Sequence, residues 1–183
     1  MACSKTLGGF TTLDCDPSKG GVKEIWIINY DAIESVDMDS ANTGYTVTGF
    51  TMNTGSTKPS DAAWHQYMMR RNTASMNSTL NFDETAGVNY VSSDVTLRFN
   101  KLDTPQRIEM TALCLAETRV VVRDANDKWW IIGVNEPVVP SSGSAQTGVA
   151  KTDGSYYELV LQGSDDTWPL QLSDAAIAQI KGA

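Results

Sequence analysis

A chain of 183 residues with 41% hydrophobic and 20% charged side chains has the composition of one globular domain with a real core, not of a disordered chain. Its 22 acids against 14 bases give a formal charge of −8, the wrong sign for a protein that holds DNA by its phosphates. No apolar run reaches the eighteen residues or so of a membrane span, and the start Met1-Ala2-Cys3-Ser4-Lys5 lacks the apolar centre of a secretory signal.

Residues 1–21, rich in Gly, Ser, Thr and Lys, read as an extended N-terminal arm. Residues 22–172 read as one β domain, and residues 173–183 as a short C-terminal helix and tail. Val22 to Tyr30 is the first strand, and its unbroken Ile25-Trp26-Ile27-Ile28 run predicts burial on both faces. Ala32 to Val36 suits either a short strand or a turn of helix. Tyr45 to Met52 alternates as a strand should, with Gly49 a candidate bulge. Ala63 to Asn72, holding Trp64, Tyr67 and Met68, fits a strand better than a helix, because a Ser- and Thr-rich run follows without a helix stop signal. Leu80 to Glu84 and Val95 to Asn100 are short strands, separated by the turn-prone Thr85-Ala86-Gly87.

A helix of about residues 105–117 interrupts this β pattern. Thr104 suits its N-cap and Pro105 its first position, where the missing N–H costs nothing. Ile108, Ala112 and Leu115 then fall on one face, with Leu113 beside them, predicted to pack on the sheet. The clearest signal follows. Arg119-Val120-Val121-Val122-Arg123 and Lys128-Trp129-Trp130-Ile131-Ile132-Gly133 flank Asp124-Ala125-Asn126-Asp127, which is the pattern of a hairpin. Such a hairpin needs other strands to cover its Val, Trp and Ile side chains. Pro140 to Ser155, a stretch rich in Ser, Gly, Thr and Ala with no aromatic side chain, reads as a long loop, a feature that is commonly functional or disordered. Tyr156 to Gly163 alternates as a half-buried strand. Ser173 suits the cap of a last helix through Ile180, ended by Gly182.

Little in the chain points to catalysis, a cofactor or a metal. Cys3, Cys15 and Cys114 lie too far apart for a zinc site and are odd in number. His65 is the single histidine, better suited to a structural role than to that of a general base. Gly143 to Gly148 resembles the opening of a phosphate loop, but Val149 and Ala150 displace Lys151 from where that loop needs its lysine. The acids at Asp31, Glu34, Asp37 and Asp39 and at Asp165-Asp166 read as solvated faces, or as a surface that repels nucleic acid. The five tryptophans have mainly apolar or acidic flanks, where a base-stacking platform carries Lys and Arg, and read as packing residues. The expectation is a non-enzymatic protein with no cofactor.

The order of features carries a resemblance. The Pro-started helix, the Val-rich hairpin closing in Trp129-Trp130-Ile131-Ile132-Gly133, the Ser/Gly loop with Gly148 and Asp153-Gly154, and then Tyr156 to Gly163 and Trp168-Pro169 come in sequence. Over roughly residues 22–172 the chain resembles the tail-tube-like proteins of tailed bacteriophages. Within that group it is similar to the ring proteins in the tail barrel of crAss-like phages. The resemblance implies a mainly β, tail-tube-like sandwich or barrel with one flanking helix, a long loop and an N-terminal arm. It also implies a virion protein of the tail or neck, made in the host cytoplasm. Its partners would be copies of itself in a ring and adjacent tail, portal or neck proteins, with double-stranded DNA passing through and no membrane.

On that resemblance Ser142, Gly143, Gln146, Gly148, Lys151 and Asp153 belong to a loop laid across a neighbouring subunit. Asp31, Glu34, Asp37 and Asp39 become candidates for an acidic channel wall, from which DNA slides because nothing binds its phosphates. Two other classes fit the same sequence. One is a capsid-decorating or head-fibre protein, the other a small-ligand or carbohydrate-binding β domain that uses its tryptophans.

Overall fold

A computed structural model of the chain describes residues 18–39, 46–55, 59, 62–85, 87–150 and 152–182. The fold is mainly β, with two sheets that do not close into a barrel. In chain order the strands are β1 (Val22–Asn29), β2 (Ile33–Met38), β3 (Thr46–Met52), β4 (His65–Met68), β5 (Ser75–Asp83), β6 (Val88–Asn100), β7 (Thr118–Asp124), β8 (Trp129–Ile132), β9 (Val139–Gln146), β10 (Tyr156–Asp165) and β11 (Leu170–Leu172). Helix α1 (Thr104–Leu113) lies between β6 and β7, α2 (Asp174–Lys181) follows β11, and a 3-10 turn (Tyr30–Ala32) joins β1 to β2. Seven strands form the larger sheet in the order β2-β3-β11-β8-β7-β1-β4, and four form the smaller, β5-β6-β10-β9.

The hairpin β7–β8 sits inside the larger sheet, and Asp124 builds its turn. Its carboxylate accepts the N–H groups of Asn126 at 2.8 Å and Lys128 at 2.9 Å, while its own N–H donates to the Lys128 carbonyl. Asp127 takes a φ of 64°, which a short polar side chain tolerates. Neighbouring β1 is buried on both faces, as its sequence predicts. Ile25 and Ile27 join Val120, Val122 and Ile132 against Val95, Leu97, Leu159 and Leu161 of the smaller sheet. Trp26 and Ile28 face the other way, with Val121, Ile131, Leu170 and Leu172, and are covered by Ala176 and Ile180 of α2. The molecule is thus three layers deep: small sheet, large sheet, helix.

The two sheets cross. Val91, near the start of β6, shares a groove with Trp130 and Leu170 on β8 and β11. Phe99, near its end, meets Tyr67 of β4 edge to face, with ring centroids 5.9 Å apart. β6 therefore runs over the strands of the larger sheet, not along them. Where the layers come closest, Gly163 of β10 leaves room for Ile132 and Val138; a Cβ there would stand 2.7 Å from Ile132 Cγ2.

Several expectations need correction. The helix is shorter than residues 105–117, and its N-cap is Asp103, whose carboxylate faces the Gln106 N–H at 3.5 Å. Its buried residues are Met110 and Leu113, while Ile108 and Leu115 are exposed. The helix ends at Leu113, so Leu115 leaves the helical phase and the stripe shifts to the i, i+3 pair Met110 and Leu113. The segment from Pro140 to Ser155 is not a long loop: its first part is strand β9, paired along β10. The strands around residue 85 are also longer than expected. β5 begins at Ser75 and β6 at Val88, because Met76, Leu80 and Phe82 alternate with polar residues in register with Val95, Val91 and Asn89.

Other expectations hold. Ser173 Oγ accepts the Ala176 N–H at 3.3 Å, and Gly182 closes α2 at a φ of 70°. The segment 63–72 contains strand β4. Ala32 to Val36 divides between the 3-10 turn and β2. A register shift opposite β2 places a bulge beside Gly49. Most of the N-terminal arm, Tyr45 and Lys151 lie outside the described residues. Among the described residues, no helix is long and apolar enough to cross a membrane.

Candidate functional site

The smaller sheet has two open edges of unlike sequence. On one side β5 runs Ser75 to Phe82 without a charge, and on the other β9 runs Val139 to Gln146 without one. Both are largely exposed, and no further described strand pairs with either outer side. An edge strand presents unpaired N–H and C=O groups, and monomeric proteins usually guard such edges with Lys, other charges, proline or bulges. Here the guards are Pro140 and a register shift at Ser141, both at the start of β9. From Ser142 to Gln146 the edge is bare. Past Val91 the β5–β6 hairpin outruns β10 and continues as a two-stranded ribbon, with Phe82 67% exposed and Leu80, Val88 and Tyr90 also exposed.

The residues expected in a loop between subunits divide between this edge and the turn beyond it. Ser142, Gly143 and Gln146 lie on β9, in register with Val160, Leu159 and Tyr156. The Tyr156 hydroxyl donates to Gln146 Oε1 at 3.0 Å. Gly148 and Asp153 shape the β9–β10 turn. The Asp153 carboxylate accepts the N–H groups of Ala150 at 2.8 Å and Val149 at 3.0 Å, and these bonds hold its pKa below the usual carboxylate value. Gly148 has a φ of 70°, and a Cβ on it would stand 2.7 Å from the Gly154 carbonyl.

The acids Asp31, Glu34, Asp37 and Asp39 are placed together, at the β2 edge of the larger sheet and its flanking turns. Asp31, Glu34 and Asp37 are exposed, and Thr51 Oγ1 reaches Asp37 across the strand pair at 3.4 Å. At the opposite edge a cleft of about 670 Å³ opens beside β4. Lys19, Lys23, Arg71 and Arg123 line it, together with Glu24. Glu24 is buried and pairs with Arg123 Nη1 at 2.7 Å. Asp127 holds Lys23 at 2.6 Å and Arg123 at 2.8 Å. Its pKa is pulled down by those two partners, and the Arg123 pKa is raised, chiefly by Glu24.

The remaining candidates have structural places. Asp165 clasps the segment after β8, accepting the N–H groups of Gly133 and Asn135, both at 3.0 Å. Sequence alone did not reveal that role, since nothing local links Asp165 to Gly133. Trp26 and Trp129 are core residues, and Trp64 packs on Phe50 with ring centroids 5.4 Å apart. Trp168 is different: it is 54% exposed at a groove of about 530 Å³ shared with Leu80, Val91, Trp130 and Pro169. His65 is exposed on β4, and Cys114 is an exposed free thiol. Among the described residues, no group of three or more His, Cys, Asp or Glu could hold a metal ion. Arg119 lies buried beneath Tyr30 and donates to the Val134 carbonyl at 3.1 Å; desolvation lowers its pKa, against the pull of Tyr30, Asp165 and Asp31. Compared with known proteins, the chain matches no protein-family model and no curated protein.

Proposed function

We propose that this protein is a non-enzymatic structural subunit of a bacteriophage virion, and that copies of it join edge to edge in a closed ring of the tail or neck. What supports this reading above all is the smaller sheet, with its two unlike and almost unguarded edges. β5 of one copy pairing with β9 of the next is a head-to-tail contact. Repeated around an axis, it closes into a ring and leaves no edge of the smaller sheet exposed. The sheet then runs on from subunit to subunit. Each ring forms part of the DNA-conducting channel, and the formal charge of −8 keeps passing DNA from sticking to it. Adjacent tail, portal or neck proteins would take the faces of the ring.

The test is mass and symmetry. Light scattering after size exclusion, with negative-stain images of any large species, should give closed rings for the native chain. Ser142→Lys with Ser144→Lys, two changes on one exposed face of β9, should leave a folded monomer. A native protein that stays monomeric at high concentration and on purified virion tails would refute the reading. The groove beside Trp168 favours a second reading, a small-ligand or carbohydrate-binding domain. Saturable glycan binding that is lost in Trp168→Ala would establish it.

A further inference from the structure

Charge divides along the larger sheet. β2, the 3-10 turn before it and its partner β3 carry Asp31, Glu34 and Asp37 and no Lys or Arg. At the other edge, beside β4, four cations and one carboxylate line the cleft. Glu24 is matched by Arg123, and Asp127 by Lys23 and Arg123. Lys19 and Arg71 form no ion pair with any described residue, and Arg70 adds a further exposed cation next to Arg71. In a protein of charge −8, this is a local excess of positive charge at one end of a sheet whose other end is negative.

We propose that the cleft beside β4 receives strand β2 of a second copy of this chain. Glu34 and Asp37 of one copy then face Lys19 and Arg71 of the next, and the larger sheets join head to tail. The cleft is lined by the start of β1, the end of β7 and the segment after β4, so edge strand β2 of one copy docks across those strand ends of the next while the charges set its direction. Two β2 edges, each acidic, repel one another, so the symmetric two-fold alternative is disfavoured. The proposal rests on reading the chain as a self-assembling ring subunit, and it supplies a contact that the smaller sheet does not. The two sheets cross, so their open edges face different directions. The β2 contact therefore links copies that β5–β9 pairing leaves apart.

A charge-swap experiment tests it with the full-length chain. One variant carries Glu34→Lys and Asp37→Lys, and the other Lys19→Glu and Arg71→Glu. All four side chains are exposed, and melting temperatures check that both variants fold. Sedimentation is measured for each alone, for their mixture and for the native chain, at low and high salt. The expected result is that each variant alone forms smaller assemblies than the native chain, with association weakened at least about tenfold. The mixture regains the native size, because each new edge now meets an oppositely charged cleft. High salt should shrink the native assembly as well.

Native-sized assemblies from both single variants would overturn the proposal and leave the ring reading intact. Loss of large species only in Ser142→Lys with Ser144→Lys would do the same. A native chain that never self-associates would overturn both. Short double-stranded DNA is the competing occupant of a basic cleft. Salt-sensitive DNA binding by the native chain, abolished by Lys19→Glu with Arg71→Glu while assembly is unchanged, would assign the cleft to phosphate and overturn the proposal.

Discussion

The backbone N–H of Phe50 donates to Gln179 Oε1 at 2.8 Å, tying the last turn of α2 to β3 beside the bulge at Gly49. Phe50 keeps its place opposite Val36 of β2, but β11 pairs with β3 only as far as Val47, and beyond it a side chain from α2 takes the place of a strand partner. Gln179→Leu keeps the bulk but strands that N–H in a part-buried site. The expected loss is about 1–3 kcal/mol of stability, read as a lower denaturation midpoint with an unchanged m-value.

Gly163 answers to a steric demand. A Cβ added there would stand 2.7 Å from Ile132 Cγ2 and 3.0 Å from Val138 Cγ2, so Gly163→Ala pushes the two sheets apart. Overpacking of this kind costs roughly 1–3 kcal/mol. In double-mutant cycles, Ile132→Ala, which removes Cγ2, should couple favourably with Gly163→Ala, whereas Ile132→Val, which keeps Cγ2, should add to it almost independently. Thermal melts of the native chain, the single variants and the two double variants give the comparison.

Buried Glu24 depends on Arg123 and on the Gln66 amide. Removing only the cation, as in Arg123→Ala, leaves an uncompensated carboxylate and should destabilise by about 3 kcal/mol, somewhat less for the outer, solvent-screened part of the pair. Adding Glu24→Gln to Arg123→Ala should return part of that loss, because a neutral amide tolerates burial better. A double-mutant cycle in denaturant measures the coupling.

The β9–β10 turn should loosen in acid. The folded pKa of Asp153 is depressed by the Ala150 and Val149 N–H groups, so its contribution is complete above the unfolded value of about 3.9 and fades as pH falls through the lower folded value. Amide exchange at Val149 and Ala150 should accelerate below about pH 4, relative to the intrinsic rate, and Asp153→Ala should remove that pH dependence. Unchanged protection in Asp153→Ala would show that other contacts hold the turn.

How much of this could be read from the sequence depended on whether the signal was local. The β7–β8 hairpin, two-faced β1 and the Ser173 and Gly182 caps of α2 all announce themselves within a few residues, through turn chemistry, apolar runs and φ preference. β9 does not. Its Ser, Gly and Ala side chains show no apolar alternation, because its outer side faces solvent and its place is fixed by hydrogen bonds to β10. Helix α1 was half legible: Leu113 is buried as its stripe predicts, but Ile108 and Leu115 are exposed and Met110 is the second residue facing the core. Among the candidate interface residues, the acids of β2 were visible as a cluster. Their opposite number was not, since Lys19, Lys23, Arg71 and Arg123 are gathered only by strand pairing.

One feature of the larger sheet bears on how the protein is made. Strand β11 lies between β3 and β8, pairing with β3 in parallel and with β8 in antiparallel fashion, so the β2–β3 hairpin reaches the rest of the sheet only through it. β3 leaves the ribosome long before Leu170 does, and its buried Val47 and Phe50 lack the cover of Leu170, Leu172, Ala176 and Ile180 until then. Such a late, sequence-distant closure is slow, and it exposes apolar surface to chaperones and to premature self-association. A nascent chain halted before Leu170 should be cut readily by protease within residues 33–52, and one carried through Lys181 should resist. On the proposed ring reading, assembly competence would then appear only after β11 and α2 have emerged.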